Sequence, residues 1–312
     1  MKFRAQSILI AILAVLCVTE IYGQEMRTGS YNIRYDNLSD EKNGNGWARR
    51  CPVICRLIQF HDFDILGTQE VLYGQLQDML RQLPGYSYIG VGRDDGSRSG
   101  EFAPIFYKNE RYEVIGHGAF WLSEQTDRPN RGWDAALPRI CTWGRFRDKF
   151  DGFTFWFFNL HMDHVGTAAR KNSALLVLSK IREMCGTEPV LLTGDFNVDQ
   201  THDSYAVLQE SGLLEDSYTR AGIVYATNGT INHFDLDKKT DSRIDHVFVS
   251  SDFIVERYGI LTDTYRSPVA DSDKALKTAD SPQEISLYEY EARLPSDHFP
   301  VKVVLRYRTP LR

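Results

Sequence analysis

Six short polar groups in this chain sit at the ends of strand-like runs: Tyr31-Asn32-Ile33-Arg34, Gly67-Thr68-Gln69-Glu70, Asn159-Leu160-His161-Met162-Asp163-His164, Gly194-Asp195-Phe196-Asn197, Ile244-Asp245-His246 and Ser296-Asp297-His298. Short β-branched and aromatic runs read as buried strands, and the ends of neighbouring strands converge in space. Carboxylates gathered at such a point repel one another unless a cation neutralises them. Hard oxygen donors select Mg2+, Mn2+ or Ca2+ over zinc. The pattern therefore constrains fold and chemistry together.

Between these groups the chain alternates. A strand over Arg27–Ile33 leads through a turn signal at Asn43–Gly46 into a helix from Trp47 to about His61, a strand over Phe63–Gly67 and a helix from Val71 to Leu83 that stops at Pro84-Gly85. The middle is strand-rich, with Tyr86–Val91, Ala103–Lys108, Tyr112–Phe120, Cys141–Arg147 and Phe153–Leu160. A helix over Thr167–Met184, a strand over Pro189–Thr193, a helix over Ser204–Glu210 and strands at Ile244–Ser250 and Phe299–Tyr307 follow. This is a mixed α/β layout with two sheets' worth of strands. Thr262 to Arg293 shows little periodicity and reads as a long loop.

Lys2 and Arg4 precede an apolar run, Ile8 to Val18, that is too short to span a bilayer. We expect a signal peptide over 1–23, cut before Gln24, a catalytic domain over 24–312, and a periplasmic or extracellular destination. Leu16 ahead of Cys17 argues against a lipid anchor. No stable membrane insertion is expected, and the chain is taken as a monomer. The remaining chain, roughly 290 residues, has no linker or repeat to divide it, so one domain is the simpler account. Formal charge is −6, or −7 without Lys2, Arg4 and Glu20, and there is no clustered Lys/Arg stripe. Long nucleic acid is therefore disfavoured as a partner. Cys51, Cys55, Cys141 and Cys185 allow one or two disulfides, although Cys51 and Cys55, one helical turn apart, read more readily as buried thiols.

Taken singly, the polar groups have ordinary explanations. Glu70 is equally a cap for the next helix, Asn32 a turn residue, Asp195–Asn197 an Asx turn, Asp245 a salt-bridge partner and Asp297-His298 a solvated pair. His246 should face away from any site that Asp245 enters, since strand neighbours point to opposite faces. Arg139 is either a strand-edge arginine or a phosphate contact, because a guanidinium can bind two phosphate oxygens at once.

In order, Asn32, Thr68-Gln69-Glu70, Asn159-x-His161, Gly194-Asp195-Phe196-Asn197, Asp245 and Ser296-Asp297-His298 resemble the endonuclease/exonuclease/phosphatase superfamily over nearly the whole mature chain. That superfamily includes DNase I-like nucleases, abasic-site endonucleases, neutral sphingomyelinases, inositol polyphosphate 5-phosphatases and nocturnin-type enzymes. The resemblance implies a four-layer α/β sandwich, two mixed β-sheets face to face with helices outside. It implies Glu70 as the main ligand of Mg2+ (or Mn2+), with Asn32 beside it and Asp297 near a second metal position. Asp195 would orient or deprotonate the attacking water, Asn197 and His161 would hold the phosphate, and His298, oriented by Asp245, would donate to a phosphoryl oxygen. The expected function is an exported metal-dependent phosphodiesterase or phosphatase. A small soluble phosphate ester or lipid headgroup is favoured as substrate, and a secreted nuclease is the alternative. No apolar hairpin of sphingomyelinase type is evident, since Gly118–Leu122 is short.

Two other classes compete. Asn159-Leu160-His161-Met162-Asp163-His164 nearly matches the His-x-His-x-Asp-His zinc motif of metallo-β-lactamase-like hydrolases, with Asn159 in place of the first histidine. An inert binding protein on the same fold should have lost Glu70, Asp195 or His298, and all three are present.

Overall fold

A computed structural model describes residues 24–269, 282 and 284–307, so the expected signal segment lies outside the described residues. In chain order the elements are β1 (Met26–Asn32), α1 (Leu38–Lys42), α2 (Trp47–Phe60), β2 (Ile65–Gln69), α3 (Tyr73–Gln82), β3 (Tyr86–Ile89), β4 (Ile105–Lys108), β5 (Tyr112–Trp121), β6 (Ile140–Asp148) and β7 (Thr154–His161). They continue with α4 (Thr167–Cys185), β8 (Val190–Asp195), α5 (Asp203–Gln209), β9 (Glu215–Asp216), α6 (Ser217–Arg220), β10 (Ile223–Tyr225), β11 (Asp245–Val249), β12 (Phe253–Ile260), β13 (Tyr265–Pro268), β14 (Tyr290–Arg293) and β15 (Val301–Tyr307).

Seven strands form one sheet in the order β10-β12-β15-β1-β2-β4-β3, and six form a second in the order β5-β6-β7-β8-β11-β9. Each sheet is mixed. β1 and β2 run parallel in the first, and β7 and β8 run parallel in the second. Period-two alternation sorts the side chains. Ile65, Phe157, Leu191, Val247 and Val303 meet between the sheets. Leu66 and Phe106 turn outward onto α2 and α3, whereas Phe158, Leu192 and Phe248 turn onto α4 and α5. This is the expected DNase I-like α/β sandwich.

The same alternation builds the site. The inward series Phe157-Asn159-His161, Leu191-Thr193-Asp195, Val249-Val247-Asp245 and Thr28-Ser30-Asn32 all grow more polar toward one end of the sandwich. Below that end, Asn159 clamps the sheets: its Nδ2 donates to the Thr68 carbonyl at 2.7 Å and the Pro104 carbonyl at 3.0 Å, and its Oδ1 accepts from Gln69 Nε2 at 2.7 Å and Thr193 Oγ1 at 3.1 Å. Gly67 allows this approach. A Cβ there would lie 2.2 Å from Thr193 Oγ1 and 2.4 Å from Asn159 Oδ1. Gly67→Ala is expected to destabilise by about 2–3 kcal/mol, lowering Tm by roughly 5 °C. Gly74→Ala, at a helical glycine with nothing within 4 Å, should stabilise slightly. Scanning calorimetry on the pair checks this, and equal Tm values would refute the clamp.

Two expectations change. Part of the supposed loop 262–293 is a ribbon, in which β13 pairs antiparallel with β14 from Tyr265↔Arg293 to Pro268↔Tyr290, while 270–281 and 283 lie outside the described residues. The pairing is non-local and leaves no signature in either segment alone. Cys51, Cys55, Cys141 and Cys185 are all buried free thiols, so no disulfide forms among them. Among the described residues no helix is long and apolar enough to cross a membrane.

Candidate active site

Eight polar side chains meet where the two parallel strand pairs end. Asp195, 1 % exposed, has both carboxylate oxygens engaged: Oδ1 accepts from the Asn197 backbone N–H at 2.9 Å and Oδ2 from Asn32 Nδ2 at 3.0 Å. The Asn32 Nδ2 also donates to Glu70 Oε1 at 3.1 Å, and the Tyr35 backbone N–H donates to Glu70 Oε2 at 3.2 Å. One amide from the first sheet thus bridges two carboxylates, one from each sheet. Glu70 and Asn197 sit at φ +60° and +50°, a backbone region that costs non-glycine residues about 1–3 kcal/mol and persists where surrounding structure holds it. These left-handed turns swing both side chains back over the strand ends.

His298 closes the site from the other side. Its Nδ1 lies 2.8 Å from Asp245 Oδ2, and its Nε2 lies 3.9 Å from Asp195 Oδ2. Burial alone would lower the His298 pKa. The carboxylates of Asp245, Asp195 and Asp297 outweigh that and hold it well above the usual imidazole range. Burial, reinforced by the charge of Asp245, pushes Asp195 up to about 7. His161 is the opposite case: burial, then Arg139 and Arg93, drive its pKa well below the ordinary value. Its Nε2 accepts from Asn197 Nδ2 at 3.1 Å and lies 3.5 Å from Asp195 Oδ2.

Asp297 is 8 % exposed, with its Oδ2 3.4 Å from Arg34 NH1, and Ser296 Oγ ties the segment down by donating to the Asn32 carbonyl at 2.7 Å. Burial and the neighbouring Glu70 charge raise the Asp297 pKa, despite His298 and Arg34. Glu70 and Asp195, bridged by Asn32 Nδ2, and the nearby Asp297 supply carboxylate oxygens of the kind that a hard divalent cation takes. Among the described residues, the trio with ligand atoms within 4.8 Å of one another is Asp195, Asp245 and His298. That trio is a poorer ligand set, because the imidazole is spent on the Asp245 bond.

The structure thus brings Asn32, Glu70, His161, Asp195, Asn197, Asp245, Asp297 and His298 to one end of the sandwich. His246 faces the helix side, fully buried, with Nε2 3.1 Å from the Val198 carbonyl and Nδ1 3.6 Å from Asp216. The zinc-type motif is used for other purposes: Asn159 clamps the sheets, and Asp163 Oδ1 accepts from the backbone N–H groups of Val165 and Gly166 at 3.0 and 2.8 Å. Arg139 is 4 % exposed, with Nε 3.3 Å from Asp163 Oδ2 and NH2 2.9 Å from His164 Nδ1. Sequence reasoning missed Arg93 and Glu101, a bidentate pair at 2.7 and 2.9 Å that places Glu101 Oε2 3.8 Å from His161 Nδ1. Glycines at 92, 96 and 100 around them signalled a turn-rich loop and nothing about what it carries.

Residues 29–298 match the Endonuclease/Exonuclease/phosphatase family. The chain belongs to that family. It is therefore related to hydrolytic phosphoesterases that generally use divalent metals. It is 53 % identical to a mannosyl-6-phosphatase of Bacteroides thetaiotaomicron, with a TM-score of 0.82 over 90 % of this chain and 99 % of that one. It is 52 % identical to an endonuclease/exonuclease/phosphatase family protein of the same organism, with a TM-score of 0.84 over 91 % of this chain and 98 % of the other. The human Nocturnin catalytic domain, 16 % identical, shares the fold with a TM-score of 0.63 over 91 % of this chain and 93 % of that chain.

Proposed function

We propose that the protein is an exported, Mg2+- or Mn2+-dependent phosphomonoesterase that hydrolyses a small sugar phosphate. The observation that carries the chemistry is the union of Asp195, both oxygens fixed, with His298, held by Asp245 and with its Nε2 3.9 Å away. Phosphoryl transfer asks for positioning and charge neutralisation more than covalent work. Glu70, with Asn32 and Asp297 beside it, would hold the cation, which when bound supplies charge for the phosphate and lowers the pKa of water. Asp195 orients the attacking water and takes its proton. Asn197, whose Nδ2 donates to His161 Nε2 and the Met162 carbonyl, would exchange one of those acceptors for a phosphoryl oxygen, and His298 donates to another as charge builds, with its tautomer set by Asp245. His161, neutral, supports Asn197 through Nε2.

The sugar reading is supported by the 53 % identity to a mannosyl-6-phosphatase, and the acidic surface weighs against long nucleic acid. The charged start and apolar run of the first residues support export. The full chain should be assayed with mannose 6-phosphate, other hexose phosphates, bis(p-nitrophenyl) phosphate and single-stranded DNA, before and after EDTA. Phosphate release from a hexose phosphate, lost with EDTA and restored by Mg2+ or Mn2+, is the expected result. Turnover confined to the diester or DNA, or insensitive to EDTA, overturns the proposal.

A further inference from the structure

Arg50, in the first turn of α2, is fully buried and takes no part in the chemistry proposed above. Its Nε donates to the Asn45 carbonyl at 2.7 Å, NH1 to the Ile33 carbonyl at 2.7 Å and the Pro295 carbonyl at 3.1 Å, and NH2 to the Arg34 carbonyl at 3.1 Å. The rings of Trp47 and Phe234 lie over the guanidinium, their centroids 5.4 and 5.6 Å from its central carbon. The planar fork is therefore held at its edge by carbonyls and at its face by aromatic rings.

These partners belong to the segments that carry the reaction. Ile33 and Arg34 directly follow Asn32, and Pro295 opens the segment Pro295-Ser296-Asp297-His298. Phe234 ends a turn in which the N–H groups of Asn232 and His233 donate to the Asp297 carbonyl at 2.8 and 3.1 Å. Arg34, His233 and Phe234 stand at φ +59°, +54° and +60°, a backbone state that persists where the surroundings hold it. Arg50 thus gathers three segments, far apart in sequence, around one guanidinium. Its hydrogen bonds go to carbonyls and none to a carboxylate. A buried charge so placed is costly, and an apolar side chain of similar size would avoid that cost. What the guanidinium supplies instead is direction, because its donors lie in one plane at fixed angles.

We propose that Arg50 is a positioning residue, which sets the placement of Asp297 and His298 relative to Asn32 and Glu70 through the carbonyls of Ile33, Arg34 and Pro295. This rests on the hydrolytic reading above and adds the device that aligns the two halves of the site. Being fully buried, Arg50 meets neither phosphate nor cation. The cation side keeps its form without it, because Gln75 Nε2 also donates to the Arg34 carbonyl at 3.0 Å and Asn32 stays bonded to Glu70 and Asp195. The Pro295 side loses the fork and keeps the single tie from Ser296 Oγ to the Asn32 carbonyl. His298 should then drift relative to the water that Asp195 orients. A misplacement of about 1 Å can cost about 100-fold in rate.

The test measures kcat, KM and the Mg2+ midpoint of the wild type, Arg50→Lys and Arg50→Met with p-nitrophenyl phosphate and bis(p-nitrophenyl) phosphate. Each kcat is expressed per Mg2+ site counted by isothermal titration. It is expected to fall about 100-fold in Arg50→Met and about tenfold in Arg50→Lys, which keeps the cation but not the fork. KM and the Mg2+ midpoint should stay within about threefold of wild type. A role confined to stability would lower the melting temperature and the number of sites but leave kcat per site unchanged. That result overturns the inference, and Arg50→Lys delivers it even where Arg50→Met does not fold. A midpoint raised about tenfold, with kcat restored at saturating Mg2+, also overturns it by moving Arg50 to metal binding. A wild type faster on the diester overturns the phosphomonoesterase reading alone, because the placement of His298 serves either ester and is then read on the diester. A wild type that hydrolyses neither overturns both.

Discussion

Asp195→Asn is expected to lower kcat by about 10³- to 10⁴-fold while the protein remains folded. Asparagine keeps the shape and its Oδ1 can still accept from the Asn197 N–H, but its NH2 cannot accept from Asn32 and the amide cannot take a proton from water. The same change has an opposite effect on stability. In the metal-free protein the Asp195 pKa is raised, by burial and then by Asp245. The folded state therefore binds a proton that the unfolded state has released, and this contribution is fully present below the unfolded value of about 4 and lost as pH rises toward about 7. Asp195→Asn removes the penalty, so the metal-free variant should melt above wild type at neutral pH and match it more closely near pH 4. Stopped assays of phosphate release and calorimetry at two pH values read both effects. Retained turnover, or a variant less stable at pH 7, contradicts the assignment.

Glu70→Gln should instead act through the cation. Glutamine preserves the size of the side chain and one oxygen but removes the negative charge. The Mg2+ concentration for half-maximal activity should rise at least about tenfold, since even partners that only orient a ligand cost 10- to 100-fold in metal affinity when lost. Isothermal titration with Mg2+ or Mn2+ gives the same quantity without turnover. An unchanged midpoint with a collapsed kcat would move Glu70 from metal binding to the reaction itself.

The two predictions draw on residues that were readable for a simple reason. A strand buried on both faces tends to be a run of apolar residues, so Asp195 shows up at the end of β8 and Asp245 at the start of β11, whereas Asn32 and Glu70 follow strands with polar residues of their own and were legible through the order of the motifs. Alternation also put His246 on the far face from Asp245, where it packs beside Asp216. The signal fails where periodicity breaks. β12 pairs with β15 through a register shift between Val255 and Arg257, which interrupts its alternation, and no strand is read there. β13 and β14 find each other across a polar span with no local turn signal. Arg93 and Glu101 sit in a glycine-rich loop, where backbone freedom uncouples position in sequence from direction in space. Arg139 was legible as either a strand-edge arginine or a phosphate contact, and what the sequence hid is its hold by two partners, Asp163 and His164, brought near by another strand.

The sheets meet at Asn159, and the reacting groups are divided between them: Asn32 and Glu70 follow strands of one sheet, while His161, Asp195 and Asp245 lie at strand ends of the other. A chain that has formed a single sheet is therefore chemically silent, however native its half looks. Recovery of hydrolysis during refolding would time the docking of the two halves, separately from the earlier return of secondary structure.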